Sequence, residues 1–505
     1  MGRVPLNIVF ASSEVAPFAK TGGLADVCGA LPAELARQGH NVSVLMPAYR
    51  SVLQLGSEVE PLNHKFDIPI GNKIVRGRLL KGVLPAGVPV YFVDQPEYFD
   101  RPELYRVAGE DYPDNCERFV FFCRAVLEAV RLLKLTVDLV HCHDWQTALI
   151  PAYLKAEYAH AQGYESIASL FTIHNLAYQG VFPQPDMNLT GLDWKFFNMH
   201  QMEFYGKLNL LKTGVIFADG LTTVSQTYAE EIQSAQHGCG LDGALRERRE
   251  ALEGIVNGVD YGVWNSATDK QLAATYKASN WQAGKAANKA ALQDELGLPK
   301  SPRTPLIGLI GRLADQKGWD LVAEVMQRWA QQADVQWAIL GTGEQKYQGL
   351  LQDLGRRFPQ KVAPRFEFCE RLAHRIEAAA DIFLMPSQYE PCGLNQLYSL
   401  RYGAVPVVRA TGGLADTVAD ANEKNLAGGV ATGFSFEHYE SAALETALSR
   451  AVSSYHHQPE VWNKLVAAGM AQDWSWAGSA RKYAAAYQRA MQRHAEERAR
   501  LLGQG

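Results

Sequence analysis

The chain has 505 residues, of which 47% are hydrophobic and 20% are charged, a balance that allows ordinary globular cores. Its length favours about three domains, and two large α/β domains fit the length equally well. The formal net charge of −5 argues against a general nucleic-acid-binding protein, because such a protein presents a basic face.

Cysteine usage and the N-terminal stretch bear on the compartment. The seven cysteines are scattered and form no Cys-x-x-Cys motif, which favours free thiols in a reducing environment over disulfides or a zinc site. No apolar run reaches the roughly 20 residues that cross a bilayer, and the chain enters an apolar strand without a leader-like segment. We therefore predict a soluble cytoplasmic protein with no membrane partner and no nucleic-acid partner.

Short apolar runs rich in β-branched residues recur along the chain, and a turn and a helical pattern follow each of them. Near-continuous apolarity is what strands buried on both faces require, so the pattern predicts parallel sheets in an α/β protein. The predicted strands are residues 6–11, 89–93, 137–142, 169–173, 221–224, 305–310, 336–340 and 382–385.

One hexapeptide, Thr-Gly-Gly-Leu-Ala-Asp, occurs twice, at residues 21–26 and 411–416. Paired glycines ahead of a helix allow a sharp turn and close approach to a ligand, and the new helix offers N–H groups to anions. A single copy would more often be a plain loop. Two copies, one near each end of the chain, predict two similarly built halves that face a shared cleft.

Polar, charged and glycine residues follow directly after several predicted strands. They are Glu14, Lys20, His143, Asp144, His174, Arg312, Lys317, Gly341, Gly343 and Glu390. Open parallel sheets bind ligands outside the carboxyl ends of their strands, so this placement predicts an active site.

A domain boundary is predicted near residues 250–300, where a charged stretch and a turn precede a fresh strand–turn–helix pattern at 305. We predict an N-terminal Rossmann-like domain over 1–255 and a C-terminal one over 256–480. Residues 481–505 are predicted to form a helix that packs back toward the N-terminal domain, with a charged, solvated end.

Seven motifs occur in an order that closely resembles the bacterial glycogen synthase and plastid starch synthase family. The resemblance covers residues 6–490, and the motifs are Lys-Thr-Gly-Gly-Leu-Ala-Asp (20–26), His-Cys-His-Asp-Trp (141–145), Thr-Ile-His-Asn-Leu-Ala-Tyr-Gln-Gly (172–180), Asn-Gly-Val-Asp (257–260), Gly-Arg-Leu-Ala-Asp-Gln-Lys-Gly (311–318), Pro-Ser-Gln-Tyr-Glu-Pro-Cys-Gly-Leu-Asn-Gln-Leu (386–397) and Thr-Gly-Gly-Leu-Ala-Asp (411–416). The resemblance implies the GT-B architecture, two Rossmann-like domains around a deep cleft. It also implies transfer of glucose, usually from ADP-glucose, to the 4-hydroxyl at the non-reducing end of an α-1,4-glucan such as glycogen, with retention of configuration.

The leaving nucleoside diphosphate needs fixed positive charge, strongest in the transition state. Arg312 and Lys317 match the family motif for that role, although such residues at a helix start are otherwise solvated. No Asp-x-Asp occurs, so the resemblance implies a metal-independent site without a cofactor, in which helix N-terminal amides assist the cations. The amides implied are those of Gly393, Leu394 and Asn395.

The transferred glucose is assigned by resemblance to Glu390, which would hold its 3-hydroxyl. Related glycosyltransferases carry a second glutamate eight residues later, where this chain has Tyr398, so no ribose contact is predicted there. His174 would lie under the sugar, or else be a satisfied histidine at a strand end. Asp144 would hold hydroxyl groups or, with equal weight, only cap the following helix. Retention favours front-face departure, with the leaving phosphate accepting the acceptor's proton, over a covalent intermediate on Asp144.

Seven further residues complete the predicted substrate site. Lys20, with the Gly22 and Gly23 turn, would bind ADP-glucose, and Gly412 and Gly413 would approach the diphosphate or glucose from the other domain. Asn257 contacts glucose or serves only in a turn. Phe368 would stack on adenine, or else be a core residue.

Two other function classes compete with a synthase. A GT-B phosphorylase would need a pyridoxal-phosphate lysine, and no motif of that type is present. A non-catalytic glucan-binding relative would tolerate loss of site residues, whereas Lys20, Arg312, Lys317 and Glu390 are all intact. The oligomeric state is left open by the sequence.

Overall fold

A computed structural model describes residues 4–503; residues 1–3 and 504–505, at the outer ends of the predicted domains, lie outside the described residues. The chain forms two compact units. Unit 1 comprises the described parts of Met1–Val224 and Trp476–Gly505 together with Ala229–Gly258, and unit 2 comprises Ser225–Tyr228 and Val259–Ser475. The junctions therefore fall near, but not at, the predicted divisions after 255 and 480.

The described residues form the following elements. The strands are β1 (Asn7–Ala11), β2 (Asn41–Pro47), β3 (Glu60–Ile70), β4 (Lys73–Leu84), β5 (Val88–Asp94), β6 (Arg106–Val107), β7 (Glu110–Asp111), β8 (Leu139–His143), β9 (Ala168–Ile173), β10 (Val181–Phe182), β11 (Glu203–Phe204), β12 (Lys207–Asn209), β13 (Gly220–Thr223), β14 (Leu252–Gly254), β15 (Leu306–Ile310), β16 (Gln336–Leu340), β17 (Val362–Arg365), β18 (Ile382–Met385), β19 (Val405–Arg409) and β20 (Phe434–Phe436). The helices are α1 (Gly23–Arg37), α2 (Arg50–Leu53), α3 (Pro96–Phe99), α4 (Asn115–Leu132), α5 (Leu149–Ala156), α6 (Met187–Thr190), α7 (Leu210–Phe217), α8 (Gln226–Glu231), α9 (Asp242–Glu247), α10 (Trp281–Leu296), α11 (Trp319–Gln332), α12 (Gln345–Arg357), α13 (Glu370–Ala379), α14 (Asn395–Tyr402), α15 (Gly412–Thr417), α16 (Glu423–Ala427), α17 (Ser441–His457), α18 (Pro459–Ala471) and α19 (Trp476–Leu501).

Unit 1 is built on one large sheet with the strand order β14-β13-β9-β8-β1-β2-β5-β4-β3. The strands from β14 to β5 pair in parallel. Every residue of β8 and β9 is buried, as expected for strands covered by helices on both faces. Helices such as α1 and α4 present their apolar sides to this sheet and complete the core.

One edge of this sheet departs from the predicted parallel pairing. β3 and β4 form a long antiparallel hairpin, and β4 pairs antiparallel with β5. Residues along β3 and β4 alternate between exposed and buried, because one face of the hairpin meets solvent. Their charged, alternating sequence lacks the continuous apolarity by which the other strands were predicted, so this hairpin was not predicted.

The C-terminal helix α19 belongs to unit 1. It begins at Trp476 rather than at 481 and packs against α1, β9 and β13. A side chain on Gly258 would lie 2.6 Å from Trp476, so the junction requires glycine there. The hydroxyl of Tyr487 is 3.0 Å from Nδ1 of His141 on β8. Helix α19 thus covers part of the central sheet.

Unit 2 is built on a parallel sheet with the strand order β17-β16-β15-β18-β19-β20. Its core includes Trp337, Ile307, Val405 and Leu448, all fully or almost fully buried. The predicted α/β class with two Rossmann-like parallel sheets is confirmed, apart from the antiparallel edge of unit 1. Among residues 4–503, helices of membrane-spanning length and apolarity are absent.

Candidate active site

In unit 1, the parallel register brings the ends of β8 and β9 side by side. His143 is paired with Thr172, so Asp144 and His174 follow neighbouring strands. The backbone N–H of His174 donates to Oδ1 of Asp144 at 2.8 Å. The Asp144 side chain makes no hydrogen bond that caps the 3-10 turn after it, so the capping alternative for this residue is wrong.

Asp144 is strained and electrostatically unusual. Its backbone has φ 56° and ψ −177°, a conformation that side chains rarely adopt and that costs roughly 1–3 kcal/mol. Burial raises the pKa of its carboxyl from 3.8 to about 7, opposed by backbone hydrogen bonds from His174 and Asn175 and assisted by the charge of Glu14. Strain and a shifted pKa together are typical of functional positions.

The rings of His141, His143 and His174 lie close together near Asp144. Nδ1 of His143 is 3.0 Å from Nε2 of His174, so one of these nitrogens must carry a proton and the other must accept. Burial lowers the pKa of His174 to about 3, and those of His141 and His143 also fall well below the usual range. His174 is therefore a neutral imidazole at physiological pH, which excludes it as a cationic partner of a phosphate.

The loop that leads into α1, from Lys20 to Gly22, has its polar groups bonded within the protein. Nζ of Lys20 lies 2.6 Å from Oδ1 of Asp26 in the same motif. The N–H groups of Thr21 and Gly22 both donate to Oε2 of Glu14. Glu14 follows β1 in the sequence, but no role was predicted for it. Its position seven residues before Thr21 is the sequence signal that could have indicated a role.

Gly22 and Gly23 stand at the start of α1, and Gly22 has ordinary extended backbone angles, φ −161° and ψ −165°. A Cβ added to Gly22 would meet nothing within 4 Å, so the fold itself does not require glycine there. Asn257 is buried and its Oδ1 has no hydrogen-bond partner. The open space beside Gly22 leaves room for a contact from outside the fold, whereas the Asn257 oxygen is enclosed by the protein.

In unit 2, the loops after β15 and β18 pack together and bring Lys317 to Glu390. Nζ of Lys317 is 2.6 Å from Oε2 of Glu390, and Ser387 Oγ donates to the same oxygen at 2.9 Å. The Glu390 side chain is 7% exposed and that of Lys317 is 26% exposed. Gly318, with φ 74°, passes so close to Pro386 that a Cβ would lie 2.2 Å from its carbonyl oxygen. Arg312 lies exposed at the start of the same loop.

The segment after Glu390 leads into α14. Gly393 has φ 71°, and Leu394 is the residue before the helix, which begins at Asn395. The Asn395 side chain donates to the carbonyl oxygen of Ile310 at the end of β15. That bond fixes the N-terminal turn of α14 to the same sheet edge as Lys317.

The second hexapeptide packs on the Glu390 loop. A Cβ on Gly412 would lie 2.0 Å from the carbonyl oxygen of Glu390, and one on Gly413 would lie 2.1 Å from that of Cys392. The N–H of Gly413 donates to the carbonyl oxygen of Glu390 at 3.1 Å. These glycines are therefore required by the protein's own backbone, in contrast to Gly22.

The structure shows the surroundings of the aromatic residues Phe368 and Tyr398. Phe368 follows β17 and is 86% exposed, so the alternative that it is a core residue is wrong. Tyr398 instead lies in a stack: the ring of Trp264 is parallel to it at 3.9 Å and to His374 at 3.7 Å on the other side. The Tyr398 ring therefore serves the packing of unit 2.

The structure thus joins the predicted residues into two groups. Asp144 and His174 lie in contact in unit 1, where the Lys20 loop is built on Glu14; in unit 2, Lys317, Glu390, Gly412 and Gly413 lie in contact. Asn257 and Phe368 are not bonded to either group. Across residues 4–503, clusters of three or more His, Cys, Asp or Glu residues that could hold a metal ion are absent.

Comparison with known proteins places the chain in one family. Residues 7–247 match the starch synthase catalytic domain, and residues 293–466 match the glycosyl transferases group 1. A glycogen synthase of Rhodopirellula baltica is 49% identical over 96% of this chain and 98% of its own length. One from Syntrophotalea carbinolica is 47% identical over 97% and 100%.

Solved structures agree with the sequence relatives. The catalytic domain of starch synthase IV from Arabidopsis thaliana, bound to ADP and acarbose, matches with a TM-score of 0.88 and 33% identity, covering 97% of this chain and all of that one. Sucrose-phosphate synthase from Thermosynechococcus elongatus, at 16% identity and a TM-score of 0.56, shares the fold alone. The chain therefore belongs to the glycogen and starch synthase family of glycosyltransferases.

Proposed function

We propose that the protein transfers glucose from ADP-glucose to the 4-hydroxyl at the non-reducing end of glycogen or another α-1,4-glucan, with retention of configuration and release of ADP. The observation that carries this proposal is the contact between Lys317 and Glu390 at the carboxyl ends of β15 and β18. A cation and a carboxylate held together there suit a substrate that carries a phosphate next to a sugar. The ADP bound to the Arabidopsis relative supports the choice of adenine nucleotide.

In this mechanism Arg312 and Lys317 stabilise the charge that develops on the leaving diphosphate. A forked guanidinium and a point ammonium act most strongly where water is excluded. The N-terminal turn of α14, from Gly393 to Asn395, adds backbone N–H groups. Positive charge from the protein takes the part that a divalent metal plays elsewhere, and no cofactor takes part. Chelation by EDTA should therefore leave the transfer rate unchanged.

The sugar is held by carboxylates and by neutral groups. Glu390 accepts a hydrogen bond from a hydroxyl of the transferred glucose. Asp144 accepts hydrogen bonds from hydroxyls of the glucose or the acceptor. Neutral His174 lies beneath the oxocarbenium-like centre and stabilises it with its carbonyl or ring dipole, since its lowered pKa removes any positive charge. The leaving phosphate accepts the proton of the attacking hydroxyl on the same face, which retains the configuration without a covalent enzyme intermediate.

The direct test is incubation of the purified protein with glycogen and labelled ADP-glucose or labelled UDP-glucose. We expect label to enter the polymer from ADP-glucose, in linkages that an α-1,4-specific amylase releases. Robust transfer from UDP-glucose alone would overturn the donor assignment. Label that the amylase cannot release would overturn the assigned linkage.

Phe368 gives a prediction on donor binding. Its ring is free for stacking, so Phe368→Ala should raise the KM for ADP-glucose by about 5- to 100-fold, the range of base–aromatic stacking. The melting temperature should stay unchanged, because an 86% exposed ring contributes little to the core. Phe368→Tyr should retain the wild-type KM. Tyr205→Ala, which removes an equally exposed ring from unit 1, is the control; an equal rise in KM there would contradict the assignment.

The two hexapeptides predict opposite responses to an added methyl group. Gly22→Ala should fold normally, because its Cβ meets no protein atom, yet raise the KM for ADP-glucose about 10-fold or more by occupying space kept for substrate. Gly413→Ala should lower the melting temperature by roughly 5 °C, because its Cβ would clash with the carbonyl of Cys392. Thermal unfolding and donor kinetics on both variants check this. A wild-type KM in Gly22→Ala would remove Gly22 from the site.

We further propose that the reaction takes place in the cytoplasm. All seven cysteines are free thiols, and most are buried, which fits a reducing compartment. The proposed partners are ADP-glucose and the glucan, with no nucleic acid and no membrane.

A further inference from the structure

The carboxylate of Glu14 is the centre of a hydrogen-bond cluster in unit 1 that the proposed mechanism does not use. Its Oε2 accepts from the N–H of Thr21 at 2.5 Å and from the N–H of Gly22 at 3.3 Å. Its Oε1 accepts from Thr21 Oγ1 at 2.6 Å and from the hydroxyl of Tyr105 at 2.8 Å. Four donors from two separate segments therefore meet one side chain that is only 4% exposed.

The backbone of Glu14 is fixed as well. Its N–H donates to Ser12 Oγ, and that hydroxyl in turn donates to the carbonyl oxygen of Glu14. These bonds hold the residue at a constant position beyond the end of β1. The carboxylate is thus a rigid reference point rather than a mobile surface charge.

A chain of side-chain bonds ties this reference point to the core. Arg118 on α4 is fully buried and donates to Asn115 Oδ1 at 3.0 Å. Asn115 Nδ2 donates to the carbonyl oxygen of Tyr105 at 2.9 Å, and Tyr105 donates to Glu14. The path therefore runs from a packed helix to the loop of the first hexapeptide.

The bonded amides belong to the two residues that directly follow Lys20. Fixing the peptide nitrogens of Thr21 and Gly22 fixes the orientation of the Lys20 backbone and the start of α1. Lys20 itself does not pair with Glu14; its ammonium lies 2.6 Å from Asp26. A negative side chain at a helix N-terminus is also favoured by the helix dipole. Glu14 thus acts on the position of the ammonium without neutralising it.

We infer that Glu14 is the positioning residue of the Lys20 loop, holding Lys20 where it meets the phosphate of the donor. The contact between Lys20 and the donor phosphate rests on the proposed function. The claim that Glu14 holds the loop rests on the hydrogen bonds alone. It assigns no contact between Glu14 and substrate.

The kinetic test compares Glu14→Ala and Glu14→Gln with the wild type. Glu14→Ala removes all four bonds and should raise the KM for ADP-glucose about 10- to 100-fold, with the KM for glycogen unchanged. Glu14→Gln keeps an oxygen for the two amides and should show a smaller rise. Glu34→Gln, which alters a carboxylate on α1 away from the loop, is the matched control and should show none. In a Lys20→Ala background, Glu14→Ala should add little. An undiminished rise in that background would overturn the inference.

A second readout needs no substrate. Trypsin cleaves after lysine, and cleavage after Lys20 requires the loop to leave its bonded conformation. The rate of cleavage at the Lys20–Thr21 bond, followed by mass spectrometry, should increase in Glu14→Ala and remain at the wild-type value in Glu34→Gln. An unchanged rate in Glu14→Ala would show that Glu14 does not hold the loop. The two proposals can fail separately. If Lys20→Ala binds ADP-glucose normally, the proposed role of Lys20 fails. If cleavage after Lys20 is nevertheless faster in Glu14→Ala than in the wild type, the positioning role of Glu14 stands.

Discussion

Replacing Lys317 by methionine should lower kcat for glucose transfer by about 100- to 1,000-fold, the range for loss of one preorganised group that stabilises transition-state charge. It should also destabilise the fold. Glu390 is 7% exposed and would keep the Ser387 hydroxyl as a partner but no cation, and removing one partner of a buried ion pair costs about 3–5 kcal/mol. Activity with labelled ADP-glucose and the melting temperature measure the two effects.

The double variant Lys317→Met/Glu390→Gln separates these effects. Removing both charges should return most of the lost stability, because no buried ion remains unpaired, while activity stays low. Lys346→Met is the matched control. Its ammonium pairs with Asp315 and Glu344 in the same unit but is more exposed, so neither activity nor stability should change appreciably. Recovery of activity in the double variant would remove Lys317 from catalysis.

Asp144→Asn should stabilise the protein at high pH and inactivate it. The pKa of this carboxyl is about 7 in the folded protein against 3.8 ordinarily, so the unfolded chain loses its proton first as pH rises. The stabilising effect of the protonated group is therefore complete below about pH 4 and is lost between about pH 4 and 7. Asparagine cannot ionise, and its oxygen can still accept from the His174 N–H. The variant should gain up to about 4 kcal/mol over the wild type at pH 8 and little at pH 4.

Activity supplies the other half of this prediction. If the carboxylate holds sugar hydroxyls, Asp144→Asn should lose about 100-fold or more in kcat at pH 8, whereas wild-type activity should rise as pH increases through 7. Thermal unfolding at pH 5 and 8 and transfer rates over the same range check both. Asp138→Asn, at the other end of the same strand, is the control for activity and should leave the transfer rate at the wild-type value. A variant equally stabilised at both pH values would contradict the proposed ionisation.

Much of the fold was predictable because parallel strands leave a simple signal. The runs at 336–340 and 382–385 coincide with β16 and β18, where continuous apolarity reflects burial on both faces. The hairpin β3–β4 was not predicted, since a strand with one wet face alternates and resembles ordinary polar sequence. Short edge strands such as β20 carry too few residues for any pattern.

Some features of the candidate site were likewise predictable from the sequence, and others were not. Residue types and their position after strands pointed to Lys317 and Glu390, yet the 2.6 Å contact between them depends on the packing of two loops 73 residues apart. The shifted pKa of Asp144 follows from burial, which no local pattern reports. Glu14 went unassigned because Tyr105 comes from a distant segment, and because the bonds from Thr21 and Gly22 depend on a loop conformation that no local pattern reports. A role that depends on the type of a residue and its position after a strand could be predicted from the sequence. A role that depends on tertiary contacts could not.

The membership of α19 in unit 1 has a consequence for biosynthesis. The ribosome produces Trp476–Leu501 only after all of unit 2, so the nascent N-terminal sheet must wait for its last covering helix. Until then the surface of β9 and β13 that α19 covers stays open, and His141 lacks its Tyr487 partner. Translation pauses before residue 476 should therefore leave a chaperone-dependent species whose exposed surface lies in the segment made first.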